Sequence, residues 1–161
     1  MKKTNYLLLF ICAISLLSCK TEVKKDVTET QEEVAVVEEK TIYEKLGGEE
    51  GISGAVEQIV AKHLENEQIK HYFLALKENP EYFEQFKQHV KDFLGAGTGG
   101  GTEYTGRDMQ GAHKGLNISE SDFLEGIDDI LFVLDDNKVD RVTRNELLAV
   151  LYSMKDAVIK Q

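Results

Sequence analysis

From Ile52 onward the apolar residues of this chain recur every three or four positions, and no stretch of any length alternates apolar with polar. Side chains three and four apart share one face of an α-helix, whereas a half-buried strand needs period two. This periodicity restricts the chain to an all-α fold. Ile52, Val56, Ile59, Val60 and Leu64 form one stripe. Tyr82, Phe83, Phe86, Val90, Phe93 and Leu94 form a second, with His89 on the same face. A third runs through Phe123, Ile127, Ile130, Leu131 and Leu134, and a fourth through Leu147, Val150, Leu151, Met154 and Val158.

Between the stripes stand helix start and stop signals. Asn79-Pro80 supplies an N-cap followed by proline at the first helical position. Ser119 opens S-E-S-D, which has the pattern of a capping box, and Thr143 with Glu146 repeats it. Ile42 to Leu46 predict a brief helical turn stopped by Gly47-Gly48, and Ile69 to Leu76 a short segment carrying Tyr72 and Phe73. The run GAGTGGG, residues 95–101, is expected to end the second main helix and form a flexible loop. A length of 161 residues suits one domain with a real core. The domain is placed at residues 41–161.

The first 40 residues have a different character. MKKTNYLLLFICAISLLS, residues 1–18, has two lysines, an apolar run too short for an ordinary transmembrane span, and then small residues. That is the pattern of a signal peptide. Leu16-Leu17-Ser18-Cys19 resembles a bacterial lipobox, which implies cleavage before Cys19, lipidation of that cysteine and attachment to a membrane facing an extracytoplasmic compartment. Residues 19–40 are rich in charge and lack aromatics, so they read as an acidic tether. A flexible coil of that length spans on the order of 25 Å. The two cysteines are Cys12 and Cys19, which leaves the domain itself without thiols for disulfides or cysteine catalysis.

Charge and motif spacing exclude several activities. Loss of residues 1–18 removes Lys2 and Lys3 and takes the formal charge from −10 to −12. Nucleic-acid binding depends on Lys and Arg neutralising phosphates, so no nucleic-acid partner is expected. GAGTGGG lacks the Lys and Ser/Thr of a phosphate loop and follows a helix rather than a strand. Asp135, Asn137 and Glu146 sit at calcium-loop spacing, but Val139 and Asp140 occupy the positions of an oxygen ligand and the turn glycine, which favours a plain helix–helix connection. His63, His71, His89 and His113 include no H-x-x-x-H pair for zinc. Nor is there a nucleophile elbow for serine chemistry.

Two of the histidines stand out. His89 lies on an apolar helix face, and His113 lies in a short segment beyond the glycine run. A histidine on such a face is commonly just hydrogen-bonded there. Two of them flanking a pocket of Phe and Val would, however, suit a flat, apolar cofactor with a metal at its centre.

Ile42-Tyr-Glu-Lys-Leu-Gly-Gly48 and Tyr104-Thr-Gly-Arg-Asp-Met-Gln-Gly-Ala-His-Lys-Gly-Leu-Asn-Ile118 resemble the opening and the proximal stretch of group 1 (N-type) truncated haemoglobins. The resemblance covers residues 42 to about 159. It implies a two-over-two helical sandwich holding haem b, with His113 as proximal iron ligand and Phe73 packing on the porphyrin face. Met109, one helical turn earlier, is placed to offer its carbonyl to the other ring nitrogen of His113. Phe86, Val90, Leu116, Phe93, Phe123 and Ile127 are the expected apolar enclosure, with Tyr104, Arg107, Lys87 and Lys91 as partners for the propionates.

Members of the family commonly carry a distal tyrosine and glutamine, at places that here hold Val60 and Val90. Phe86 lies one turn before Val90. The loss of those donors implies weaker oxygen retention and less efficient nitric-oxide dioxygenation. In some members a histidine at the place of His89 is a sixth iron ligand. Here His89 is either that ligand or a partner for a propionate or solvent. The expected function is reversible binding of a diatomic gas, with any redox chemistry needing an external reductase. The alternatives are a bis-histidyl electron-transfer or redox-sensing protein using His89 and His113, and a helical interaction module that has lost haem.

Overall fold

The computed structural model describes residues 39–161. The expected signal peptide, Cys19 and nearly all of the tether lie outside the described residues. The elements are α1 (Ile42–Lys45), α2 (Gly48–Glu65), α3 (Lys70–Lys77), α4 (Pro80–Gly97), α5 (Met109–His113), α6 (Glu120–Asp136), α7 (Arg141–Ser153) and α8 (Lys155–Val158). No strand occurs among the described residues, so the all-α expectation holds.

The helix starts follow from local chemistry. Thr41 and Glu44 form a reciprocal capping box at α1. Asn79 Oδ1 accepts from the Tyr82 amide at 3.1 Å, with Pro80 as the first helical residue of α4. Ser119 and Asp122 form the capping box of α6. The expected Thr143–Glu146 box does not form. α7 begins earlier, capped by Asp140, whose Oδ1 accepts from the Val142 and Thr143 amides at 2.9 and 3.1 Å. An aspartate three residues ahead has already satisfied those amides, and the Thr143 hydroxyl donates to Asp140 Oδ2 at 2.6 Å. Glu146 instead pairs with Lys45 at 3.1 Å. The calcium-like spacing is therefore a helix–helix connection, with Asn137 ending α6 and Asp140 starting α7.

The glycine run also differs from expectation. α4 continues through Gly97 and stops at Thr98, whose hydroxyl donates to the Leu94 carbonyl at 2.6 Å. Gly95 is needed because a Cβ there would stand 2.5 Å from Thr102 Oγ1 as the following loop folds back. The helix persists because its i→i−4 bonds survive a close approach that only glycine permits.

α2 lies at the centre of the fold and packs on both α4 and α6. Ile52, Val56 and Val60 of α2 meet Leu94, Leu134 and Leu147 in the main core, and Phe83, Phe86 and Val90 of α4 pack against its edge. Burial of each such side chain contributes about 1.5–3 kcal/mol. A second cluster, Ile118, Phe123, Ile127 and Val158, has Met109 and Tyr72 at its margin. The first core holds the α4 face in place, and the second supports α5.

Candidate functional site

His113 is the last residue of α5, a five-residue helix capped by Asp108, which accepts from the Gly111 amide at 2.7 Å. The imidazole is half-buried, with Nδ1 2.7 Å from the Met109 carbonyl. A carbonyl can only accept, so Nδ1 carries a proton, and in the neutral imidazole Nε2 is then the atom with the lone pair. A neutral imidazole held this way is a ready metal ligand, because the bond behind it fixes both tautomer and orientation. Two contacts secure the segment. Met109 packs at the second core cluster. The residues after His113 are tied to the C-terminal segment, the Gly115 and Asn117 amides both donating to the Gln161 carbonyl, at 3.0 and 3.2 Å. Leu116, expected as an apolar enclosing residue, is 40% exposed.

A second group forms around Tyr104. Its ring meets His89 edge-on at 6.3 Å and Phe93 at 5.3 Å, and its hydroxyl donates to the Arg107 carbonyl at 2.6 Å. A Cβ at residue 106 would lie 2.4 Å from the Tyr104 hydroxyl, so Gly106 is what lets the ring fold back over the loop. The Arg107 side chain is exposed. His89 Nδ1 is one of two buried side-chain polar atoms without a hydrogen-bond partner among the described residues. An orphan of this kind costs about 1–3 kcal/mol unless a partner satisfies it.

The aromatic wall comes from α3 and α4. Phe73 meets Phe86 at 6.1 Å, and Phe86 meets Phe83 at 6.4 Å. Val60 is buried, while Val90 and Phe86 pack on its cluster, and none of the three carries a hydrogen-bond donor. Lys87 and Lys91, expected as propionate partners, both bind Glu57 at 2.8 Å, and Lys87 also pairs with Glu84 at 2.8 Å. The hydrogen bond from Lys87, then that from Lys91, holds the Glu57 carboxyl below its usual range.

One polar group was not apparent from the sequence. His63 of α2 is 8% exposed, with Nδ1 3.0 Å from Asp129 Oδ2 of α6. Asn66 Nδ2 donates to the same carboxylate oxygen at 3.0 Å and to Glu125 at 3.1 Å. The imidazole stacks on Phe73, with ring centroids 4.9 Å apart and planes 22° from parallel. Burial pushes the His63 pKa down, against the opposing effect of Asp129. His63 falls on the α2 stripe and its partner lies 66 residues away, so no local pattern reports the pair.

The model of the bacterial-like globin family matches residues 41–160, and the chain belongs to that family. Within it, the similarity is to group 1 truncated haemoglobins. The protein of that description from Tetrahymena pyriformis is 36% identical over 121 residues, spanning 74% of this chain and 96% of the relative. The one from Tetrahymena thermophila is 33% identical over the same shares. The crystal structure of the T. pyriformis truncated haemoglobin in its Fe(III) form superposes with a TM-score of 0.69 at 31% identity, covering 76% of this chain and all of that one. The 2/2 haemoglobin of Synechococcus, in the cyanomet state with covalently attached haem, superposes with a TM-score of 0.66 at 25% identity, covering 74% and 98%. The fold is the two-over-two globin fold.

Proposed function

We propose that the chain is a haem protein that binds a diatomic gas reversibly, with iron held by Nε2 of His113. The observation that carries this reading is the 2.7 Å bond from His113 Nδ1 to the Met109 carbonyl, which leaves Nε2 as a preoriented lone pair. The orphaned Nδ1 of His89 suits the same group, since it needs a partner that the protein does not supply. The residues present therefore fit haem. Phe73, Phe86, Val90 and Leu116 provide apolar contact, and Tyr104 and Arg107 provide polar contact for the propionates. The domain holds no cysteine for thioether attachment, which favours haem b. Bound there, haem iron supplies gas coordination and one-electron redox chemistry.

Val60, Phe86 and Val90 offer a bound gas no hydrogen bond. A hydrogen bond to a charge-bearing ligand is worth roughly 1.5–3 kcal/mol, so oxygen is held ten- to a hundredfold less tightly than in a globin with such donors. Transient gas binding fits this pocket better than storage, and nitric-oxide dioxygenation would need a separate reductase. The partnerless His89 favours a second reading, in which His89 and His113 both ligate iron for electron transfer or redox sensing.

Titrating the apoprotein with haemin tests the first reading. It predicts a stoichiometric Soret band that shifts with carbon monoxide after reduction and is absent in His113→Ala. A wild-type protein that takes up no haem contradicts it. Fast carbon monoxide binding to ferrous iron separates gas binding from the bis-histidyl alternative.

The Leu16-Leu17-Ser18-Cys19 stretch supports the further proposal of a lipid anchor at Cys19 and an extracytoplasmic location. No helix among the described residues is long and apolar enough to cross a membrane. Cys19→Ala is expected to move the protein out of the membrane fraction, and retention there contradicts the anchor.

A further inference from the structure

α3 carries Phe73, yet no residue of that helix is buried. An eight-residue helix is too short to be stable alone, so contacts outside it must fix its position. Two of them are specific, and both end on α6 carboxylates. Tyr72 donates to Asp122 Oδ2 at 3.0 Å, and Phe73 lies on the His63 ring, which is held by Asp129.

The buried His63–Asp129 pair needs a reason other than stability. Replacing a buried pair of this kind with apolar residues of similar volume is often neutral or stabilising. What an apolar residue does not provide is a ring whose rotation is fixed. Asp129 holds Nδ1 at 3.0 Å, and Asn66 holds Asp129 in turn, so hydrogen bonds add to packing in setting the imidazole plane. That plane stands 22° from Phe73, which in turn faces Phe86 at 6.1 Å.

We propose that His63, oriented by Asp129, is a positioning residue that sets the Phe73 ring, and through it Phe86, against the haem face. The inference rests on the haem reading above. It assigns the pair to cofactor geometry rather than to fold stability.

The test compares wild type, the double variant His63→Leu/Asp129→Leu, and Asp129→Asn, each loaded with haemin. Two measurements are made: the rate of haem transfer to an excess of apomyoglobin, and the infrared band of carbon monoxide added to the reduced protein. The double variant is expected to lose haem about tenfold faster, the scale of one aromatic contact, and to split or broaden the carbon monoxide band. Asp129→Asn keeps an acceptor for Nδ1 and is expected to stay within about threefold of wild type, with one band. Wild-type haem loss and an unmoved band in the double variant overturn the proposal. Faster loss with an unmoved band marks general loosening and overturns it too, as does an Asp129→Asn protein as leaky as the double variant. If the double variant does not fold, Asn66→Ala is read in the same two assays, with faster loss and a broadened band in support and wild-type behaviour against. If wild type takes up no haem, the haem reading falls and this proposal with it.

Discussion

Replacing His89 with leucine is expected to move the stability of the apoprotein and of the haem-loaded protein in opposite directions. In the apoprotein, His89 Nδ1 is buried without a partner. The substitution removes that penalty of about 1–3 kcal/mol while keeping similar volume. It also removes the edge contact between the imidazole and Tyr104 at 6.3 Å, which is worth about 0.5–1.5 kcal/mol. The net gain is about 1 kcal/mol, or a Tm rise of roughly 4 °C for a domain of this size. If haem iron or a propionate supplies that partner in the loaded protein, the same substitution is expected to lower Tm by a similar amount. Calorimetry on both forms measures the crossover, and the ferric optical spectrum shows which partner His89 has. If His89 ligates iron, wild type is at least partly six-coordinate and low-spin, and His89→Leu becomes high-spin. A Tm that falls in the apoprotein, together with a water-ligated high-spin spectrum identical in both proteins, refutes the reasoning.

Val90→Gln places a donor on the α4 face and should slow oxygen dissociation ten- to a hundredfold in a stopped-flow measurement; an unchanged rate would mean that residue 90 does not face the gas. Asp122 accepts from Ser119, Gln68 and Tyr72, and the Ser119 hydroxyl first, then Gln68, helps hold its pKa down to about 2. Its contribution is therefore complete above pH of about 4 and is lost as pH falls toward the folded value, a limb that Asp122→Asn should flatten in acid unfolding. His63 has its pKa lowered chiefly by burial. The stability that this contributes is present above the ordinary histidine value near 6.5 and declines as acid protonates the unfolded chain. Urea midpoints measured from pH 7.5 down to 5 should fall in wild type and fall less in His63→Gln.

The parts of this molecule that were legible in the sequence are those set by short-range chemistry. The stripes of α2, α4 and α6 followed from spacing alone, as did the caps at Asn79 and Ser119. The relation of His113 to Met109 was also readable, because a carbonyl one helical turn back is a local feature. Two local readings went wrong where a neighbour decided the outcome. Asp140 took the cap expected at Thr143, and Thr102 packed against Gly95 while α4 ran on. The long-range features were not readable at all. Nothing near Glu57 marks it as the partner of Lys87 and Lys91, and nothing near His63 points to Asp129. Such pairs depend on how helices cross, which periodicity does not encode.

The central claim is that Nε2 of His113 is the axial ligand, and a cavity variant tests it most directly. His113→Gly removes the imidazole and leaves space for a free one to enter. The account predicts that the reduced His113→Gly protein lacks the iron–histidine stretching band in its resonance Raman spectrum. It also predicts that supplying haemin together with imidazole restores a comparable band and the wild-type Soret position. A His113→Gly protein that keeps the wild-type band and Soret maximum without imidazole would contradict the account.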